Sequence, residues 1–375
     1  MDKKILILVN SLDFFLTHRN TLAQKLVENG YNVEVITDMQ GKNYTDQHIM
    51  FHNFEIDRAS INPLSFIIKV IRLKKYLSIN KFDIYYFVSH KSNILGGIAT
   101  LFEFRKKIIF SITGLGYVFI NRNFLAKCVK RLILLSYSIL AKKSNCIFIF
   151  QNNDDKKLFL NYGILKEKQS IIIPGMGVDL QKFSYKERIF FQADRPIRVL
   201  FAGRLLIDKG IKEFLELALR FKNRNFEFHI SGNLDIENPH AINLKDFNNY
   251  LNESNLVYHG HIDFEKMFEL YRATDIFLLP SYREGFPKAA IEAAATGQPL
   301  LMSDVPGCRD CIIEGYNGFL FKKGDIEEME LQLLKISGKN NLKSFSKNSR
   351  KHVEKNYSAM YIANQYIELI SATYY

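Results

Sequence analysis

The sequence contains no tryptophan, and only four of its 375 residues are cysteine. Small secreted domains depend on a denser cysteine framework, so a disulfide scaffold is excluded. Cys308 and Cys311 form one isolated C-x-x-C pair. A zinc ribbon requires a second such pair, and a redox motif requires a thioredoxin-like setting, so neither function is indicated.

Long apolar runs are also missing. No stretch approaches the ~20 apolar residues of a transmembrane helix. Asp2 and two lysines precede the apolar run 5–9, as in a signal peptide, but polar Asn10 and Ser11 interrupt it and no cleavage site of small residues follows. The run therefore predicts a buried first strand. We expect a cytoplasmic protein, associated peripherally with the inner face of the plasma membrane.

Acidic residues are scarce in the first half of the chain. Residues 1–200 hold 30 Lys and Arg against 16 Asp and Glu, whereas residues 201–375 hold 21 against 23. Between Arg58 and Lys143, 16 basic residues face only Asp83 and Glu103. Such asymmetry predicts a polyanionic partner or an anionic membrane surface, a lysine-rich solvated face being the alternative. Nucleic acid would explain the charge but not the motifs of the second half, so it is not expected.

Short apolar runs alternate with helical patterns along the whole chain. A strand at 5–9, a helical stretch at 21–29, Gly30 and a strand at 33–37 form a βαβ unit. The pattern restarts after the polar stretch 185–195. We predict an α/β protein of two Rossmann-like, doubly wound parallel-sheet domains facing a central cleft. The predicted domains are residues 1–188 and 189–356, with a C-terminal helix at about 357–375 packing back on the first.

One loop in the second half combines several ligand-binding features. Residues 281–286 join a buried strand to a helix that we expect to begin at Pro287. The backbone N–H groups of Gly285 and Phe286 would then bind an anion or sugar hydroxyls. Glu284 lies in the loop and Glu292 about 7 Å further along the helix. This spacing suits two carboxylates on one extended ligand, Glu292 on a ribose diol and Glu284 on the hydroxyls of a transferred sugar.

Two further loops follow predicted strands. Gly203 and Arg204 end one strand, and Lys209 precedes the next helix. Arg204 and Lys209 would neutralise a leaving diphosphate, while Gly203 allows close backbone approach. His261 and Ile262 follow a third strand, where the backbone would bind a base edge or, alternatively, phosphate or sugar.

These segments resemble the family-four retaining glycosyltransferases of the GT-B fold. Glu284 and Glu292 match the family's Glu-x7-Glu signature, and Arg204 and Lys209 its basic pair. The first half is similar to the branch that extends undecaprenyl-diphosphate-linked sugars for N-glycosylation, O-antigens and capsules. The segments that carry this second similarity are 14–19, 57–63, 90–93, 113–116 and 148–153.

The resemblance implies transfer of a hexose or N-acetylhexosamine from a UDP-sugar to a lipid-linked saccharide. Two departures concern the first half: Thr113 stands where many relatives have His, and residues 13–15 replace a frequent Gly-Gly pair. No D-x-D motif occurs in the chain, so we expect neither a metal nor another cofactor besides the donor substrate. The catalytic candidates are Glu284, Arg204, Lys209 and His90.

Acceptor-side candidates lie at the ends of the first-half strands. We expect His18 and Arg19 to open a helix after the first strand, where they would meet acceptor or donor phosphate. His90 follows the strand 84–88 and would bind an acceptor hydroxyl or phosphate, structural packing being the alternative. The remaining candidates are Lys91, Thr113 and Gly114.

Residues 61–81 and 121–143 predict two basic, amphipathic helices. Such helices bind anionic membrane surfaces and lipid diphosphates, although core-packing helices with basic outer faces would show the same pattern. A UDP-sugar 2-epimerase of the GT-B fold and a non-catalytic carbohydrate-binding scaffold remain alternative functions. A dinucleotide oxidoreductase is disfavoured, because residues 10–15 after the first strand contain no glycine.

Overall fold

The computed structural model describes residues 3–56, 62–119, 123–185, 187, 195–235, 238 and 240–372. The chain divides into two compact units, Met1–Met176 with Ile362–Tyr375 and Gly177–Tyr361. The first boundary therefore lies about a dozen residues before the predicted position at 188/189. The reason is that Val178 and Phe183 already belong to the core of the second unit.

The described part of the first unit is built on a seven-stranded parallel sheet with the order β3-β2-β1-β4-β5-β6-β7. The central strands are apolar and buried on both faces, as expected where helices cover both sides of a parallel sheet. The strands are β1 (Lys4–Val9), β2 (Asn32–Thr37), β3 (Ile49–Asn53), β4 (Ile84–Val88), β5 (Lys107–Ile112), β6 (Cys146–Phe150) and β7 (Ser170–Ile172). The helices are α1 (Leu12–His18), α2 (Asn20–Glu28), α3 (Pro63–Ile79), α4 (His90–Ala99), α5 (Phe124–Leu140) and α6 (Asn153–Asn161).

The second unit repeats this plan on a six-stranded parallel sheet in the residues described, with the order β10-β9-β8-β11-β12-β13. Its core is rich in phenylalanine and includes the edge-to-face pair Phe214 and Phe228. The strands are β8 (Ile197–Ala202), β9 (Phe226–Ser231), β10 (Leu256–Tyr258), β11 (Ile276–Leu279), β12 (Leu300–Ser303) and β13 (Gly318–Phe321). The helices are α7 (Ile211–Arg220), α8 (Leu244–Glu253), α9 (Met267–Ala273), α10 (Lys288–Ala295), α11 (Ile326–Ile336) and α12 (Lys339–Asn356).

The last helix, α13 (Ala359–Ser371), buries most of its apolar face in the first unit. Tyr366 is fully buried there, and its hydroxyl donates to the carbonyl of Gly175 over 3.4 Å. Lys107 of β5 hydrogen-bonds to the carbonyls of Ile370 and Ala372 at the end of the helix. Chain segments from both ends of the sequence therefore complete this unit.

Three details differ from the sequence-based expectations. The helical stretch predicted at 21–29 is α2, and it is preceded by a further helix, α1, which ends at His18. The helix predicted at 61–81 is α3, which starts at Pro63 because Asn62 caps it through its side chain, and residues 57–61 lie outside the described range. The helix predicted at 121–143 is α5, capped by Asn123, with residues 120–122 outside the description. Among the described residues, every helix is too short or too polar to span a lipid bilayer.

Candidate active site

The second unit brings two predicted loops together at the carboxyl ends of neighbouring strands β8 and β11. Gly210 lies against Pro280: a Cβ atom at Gly210 would stand 2.0 Å from the Pro280 carbonyl oxygen, and φ of Gly210 is +76°. Only glycine fits both the contact and the left-handed backbone. The backbone N–H of Tyr282 also donates to the carbonyl of Asp208 over 2.9 Å. The loop that carries Lys209 is thus attached to the loop that carries Glu284.

The side chains of these two loops form an ion pair. Nζ of Lys209 lies 2.7 Å from both Oε1 and Oε2 of Glu284. The hydroxyl of Ser281 donates to Oε1 over 2.7 Å, and the Glu284 side chain is only 10% exposed. The sequence interpretation assigned Lys209 to a diphosphate and Glu284 to a sugar. In the structure each is the other's partner, so the carboxylate is held in one orientation.

The backbone of Glu284 is fixed by the segment that follows β12. Its N–H donates to the carbonyl of Pro306 over 3.1 Å. Gly307 has φ of +81°, and a Cβ atom there would stand 2.7 Å from the carbonyl oxygens of Glu284 and Gly285. Any side chain at Gly307 would therefore displace the loop. Three strand ends, those of β8, β11 and β12, determine where the carboxylate lies.

Arg204 is exposed to solvent, whereas Lys209 is half-buried. The Arg204 side chain has neither a hydrogen-bond nor an ion-pair partner among the residues that the structure describes. Gly203, which precedes Arg204, packs closely against Gly232. A Cβ atom on Gly232 would stand 1.8 Å from the Gly203 carbonyl oxygen. The predicted basic pair therefore consists of one cation committed to Glu284 and one available to an anion.

Glu292 lies on α10 and is almost fully buried. The hydroxyl of Tyr271 donates to its Oε2 over 3.1 Å, and Nζ of Lys288 lies 3.3 Å from Oε1. Burial raises the pKa of Glu292, and the ammonium of Lys288 opposes that rise.

Pro287 is the residue that caps α10 rather than its first helical residue, because its ψ of 101° is extended. Phe286 packs on Tyr357 with ring centroids 5.1 Å apart.

The loop after β10 is tied to the end of β9. The N–H of Gly232 donates to the carbonyl of Gly260 over 2.9 Å. His261 is exposed, with Nε2 4.0 Å from a carboxylate oxygen of Asp263, and Ile262 packs against the core of the unit. The side chain of His261 is thus accessible, while Ile262 anchors the loop.

Sequence reasoning missed three side chains of this site. Ser281 belongs to the loop 281–286, but only the structure shows that its hydroxyl donates a hydrogen bond to Glu284. The i,i+4 spacing of Lys288 and Glu292 was a usable signal, since such pairs share one helix face. Tyr271 comes from α9 and had no local signal. Tyr282 is a supporting residue whose hydroxyl donates to Glu213 over 2.6 Å, and burial raises its pKa to about 12.

In the first unit, His90 is the first residue of α4 and directly follows Ser89, whose backbone is strained. Ser89 has φ of +77° and ψ of 159°, a backbone region almost restricted to glycine. Nδ1 of His90 lies 2.9 Å from the hydroxyl of Tyr137, which also accepts from Asn93 over 2.9 Å. Burial lowers the pKa of His90 to about 4, and the backbone of Gly114 and Leu115 acts in the opposite direction. His90 is therefore neutral near pH 7 and lies beside the predicted residue Gly114.

Arg19 opens a helix as the N-cap residue of α2, whereas His18 does not. His18 is the last residue of α1 and stacks on Phe14 with ring centroids 4.3 Å apart. Arg19 caps α2 and is fully buried, its guanidinium donating to the carbonyl of His18 over 2.8 Å and to the hydroxyl of Ser111 over 3.3 Å. The Arg19 guanidinium therefore binds groups of the first unit itself.

Of the two remaining acceptor-side candidates, Lys91 is next to His90 in the chain, and Thr113 follows the strand beside the one that precedes His90. Lys91 is the second residue of α4, and Thr113 directly follows β5, the neighbour of β4 in the sheet. Both are half-buried. In the described part of the chain, no group of three or more His, Cys, Asp or Glu side chains is arranged to hold a metal ion.

Solved structures share this architecture. Sucrose-phosphate synthase from Thermosynechococcus elongatus superposes with a TM-score of 0.80 at 19% identity, over 99% of this chain and 100% of that one. The Anabaena protein HepE in complex with UDP and glucose superposes with a TM-score of 0.76 at 15% identity, over 99% and 100% of the two chains. Two Rossmann-like units on parallel sheets thus define a protein of the GT-B fold.

Sequence comparisons narrow the class. Residues 4–152 match the model of the family Glycosyl transferase 4-like, and residues 185–352 that of Glycosyl transferases group 1. The chain is 31% identical to the Campylobacter jejuni N,N'-diacetylbacillosaminyl-diphospho-undecaprenol alpha-1,3-N-acetylgalactosaminyltransferase, over 84% of each chain. It is 28% identical to the Escherichia coli UDP-Gal:alpha-D-GlcNAc-diphosphoundecaprenol alpha-1,3-galactosyltransferase, over 76% of this chain and 74% of that one. The chain belongs to the family-four glycosyltransferases and is an enzyme of that class.

Proposed function

We propose that this enzyme transfers a hexose or N-acetylhexosamine from a UDP-sugar to an undecaprenyl-diphosphate-linked saccharide, with retention at the anomeric carbon. The observation that carries the proposal is the Lys209–Glu284 ion pair beside the exposed Arg204, at the carboxyl edge of the second sheet. The Campylobacter and Escherichia relatives, whose names specify such acceptors, support the substrate class.

The donor would lie along this edge. Arg204 would bind the diphosphate, aided by the N–H groups of Gly285 and Phe286 near the start of α10. Glu284 would accept hydrogen bonds from hydroxyls of the transferred sugar, and Glu292 from the ribose. The loop at His261 and Ile262 would contact the base. The residues assigned to donor binding are therefore Gly203, Arg204, Lys209, His261, Ile262, Glu284, Gly285, Phe286, Pro287 and Glu292.

Departure of UDP requires stabilisation of the developing negative charge. Arg204 would supply this directly, and amide dipoles would add to it without reorganisation during the reaction. Lys209 would contribute by holding Glu284 in one orientation, since its ammonium contacts both oxygens of that carboxylate. Such a site would work without a metal ion, so activity should survive EDTA.

The acceptor would meet the carboxyl edge of the first sheet, where His90, Lys91, Thr113 and Gly114 lie. His90, neutral near pH 7, would act as a hydrogen-bond donor or acceptor rather than as a cation. His18 and Arg19 support this edge from the α1–α2 junction.

We also propose that the first unit binds the inner face of the plasma membrane through α3 and α5. A helix that only packs on a core buries its apolar side chains, but these two leave many exposed. Phe124 of α5 is 82% exposed and Leu64 of α3 is 72% exposed. The further exposed members are Ile67, Ile68, Ile71 and Ile79 of α3 and Leu125, Leu132, Leu135 and Ile139 of α5. Basic residues on both helices would add attraction to anionic lipids.

The decisive experiment incubates the purified enzyme with a panel of UDP-sugars and undecaprenyl-diphosphate-linked sugars. Mass spectrometry should detect an acceptor enlarged by one sugar for one donor in the panel. Conversion of a UDP-sugar to its epimer without any acceptor would instead establish the epimerase alternative. UDP-sugar binding with no turnover for any acceptor would favour a carbohydrate-binding scaffold.

A further inference from the structure

Glu292 is a buried carboxylate with few partners. Its side chain is 6% exposed, and its two oxygens face different groups, Tyr271 at Oε2 and Lys288 at Oε1. Lys288 is the first residue of α10 and lies one helical turn before Glu292, so the helix itself sets their 3.3 Å contact. The ammonium is therefore built into the same rigid element as the carboxylate.

The protonation state of such a carboxylate decides what it can bind. An ionised carboxylate accepts hydrogen bonds at both oxygens, whereas a protonated one presents a donor at one of them. Burial favours the protonated, neutral form, and a cation within about 4–6 Å favours the ionised form. Tyr271 stabilises the ionised form as a hydrogen-bond donor but carries no charge.

One more cation lies near Glu292. Lys182 and Lys288 both contact the ring of Phe264, with Nζ 3.6 Å and 4.1 Å from its centroid. Lys182 forms its own ion pair with Glu265 over 2.8 Å, and that carboxylate is 80% exposed. The groups that face Glu292 are thus Tyr271 from α9, Lys288 from α10 and Lys182 from the segment before β8. Of the two cations, Lys288 is the one in direct contact with Glu292.

We propose that Lys288 is a positioning residue, which keeps Glu292 ionised and oriented so that it accepts both hydroxyls of the donor's ribose diol. This inference rests on the proposed function, because it takes the ribose to lie at Glu292. Lys288 acts through Glu292 and needs no contact with the nucleotide.

The test compares UDP with 2′-deoxy-UDP, which lacks one hydroxyl of the diol. Calorimetry on the full chain should give the wild type a preference for UDP of roughly ten- to a hundredfold, the range for a hydrogen bond to a charged group. In Lys288→Met and Lys288→Gln the preference should fall to about threefold or less, while Lys288→Arg, which keeps a cation, should retain it. Because both probes carry the same diphosphate, its ionisation cancels in the ratio.

The pH dependence adds a second readout. The wild-type preference should persist to a lower pH than that of Lys288→Met, because loss of the cation raises the pKa of Glu292. Lys347→Met is the matched control, since Lys347 pairs with Glu187 at an exposed surface of the same unit. It should behave as the wild type.

The outcomes separate the inference from the proposed function. An unchanged preference in folded Lys288→Met, or an equal loss of affinity for both probes, would overturn the positioning role. A wild type that binds UDP without preferring it over the deoxy compound would overturn it too, while leaving the proposed function intact. A wild type that binds no UDP would overturn the proposed function itself.

Discussion

Lys209 places its ammonium 2.7 Å from both carboxylate oxygens of Glu284, so one lysine holds both oxygens of one glutamate. The two residues are 75 positions apart in the chain and come from loops that follow adjacent strands. The pair means that a residue of another loop fixes the orientation of the Glu284 carboxylate. It also means that the effects of Lys209 and Glu284 should be strongly coupled.

Replacing Lys209 with Met should therefore lower turnover by about a hundredfold or more and destabilise the protein by about 1–3 kcal/mol, because a mostly buried carboxylate loses its cation. Glu284→Gln should lower turnover similarly, and the double variant should be little worse than either single one. Initial rates and urea unfolding measure both effects. Additive losses in the double variant would show that the two residues act separately.

Arg204→Ala should reduce turnover by about a hundredfold with no measurable loss of stability. The guanidinium is exposed, so its removal leaves no buried group unsatisfied, whereas the departing diphosphate loses a cation. Arg272→Ala, which also removes an exposed arginine of the second unit, is the control and should keep full activity. A folded Arg204 variant with a wild-type rate would remove this residue from the mechanism.

Ser89→Gly should stabilise the first unit. The strained backbone of Ser89 costs about 1–3 kcal/mol, which glycine avoids, against about 0.5–1 kcal/mol for glycine's greater freedom in the unfolded chain. Ser89→Ala keeps the Cβ atom and should gain little. Urea unfolding of the three proteins checks the order, and a glycine variant less stable than the alanine variant would contradict it.

His90 should make the protein less stable below about pH 6.5. Its folded pKa of about 4 lies below the usual value of 6.5, so the unfolded chain takes up the proton first. The stability that neutral His90 contributes is fully present above pH 6.5. It is lost as the pH falls towards 4, by up to about 3 kcal/mol of unfolding free energy.

Urea unfolding of the wild type and His90→Gln between pH 4.5 and 7.5 measures this effect. The glutamine variant cannot titrate, so its stability should fall less with decreasing pH. Parallel stability curves for the two proteins would show that His90 titrates normally in the folded state.

Membrane binding should depend on the exposed leucines of α5. Leu132→Gln together with Leu135→Gln removes two side chains that are 63% and 58% exposed, so stability should hardly change. Sedimentation with anionic liposomes should show at least tenfold weaker binding. Leu331→Gln, which changes a 66% exposed leucine of the second unit, is the control. Failure of the wild type to bind anionic liposomes at low salt would rule out this surface.

Elements with a strong local pattern were predicted closely. β4 has the bounds expected from the sequence, and the strands predicted at 5–9 and 33–37 match β1 and β2 to within one residue, since a continuous apolar run is a local property. β3 was missed because Ile49–Asn53 mixes apolar with polar residues at a sheet edge. β13, which begins with a glycine, was missed as well.

The motif residues were recognisable for the same reason: Glu284, Glu292, Arg204 and Lys209 stand at fixed positions after apolar runs, and chain order along a parallel sheet places such positions at one edge. Their partnerships were not recognisable. These partnerships depend on contacts between segments far apart in the chain. Examples are the ion pair of Lys209 with Glu284, the hydrogen bond of Arg19 to Ser111 and the burial of His90. Distance and burial set the energy of such contacts, and both exist only once the chain has folded.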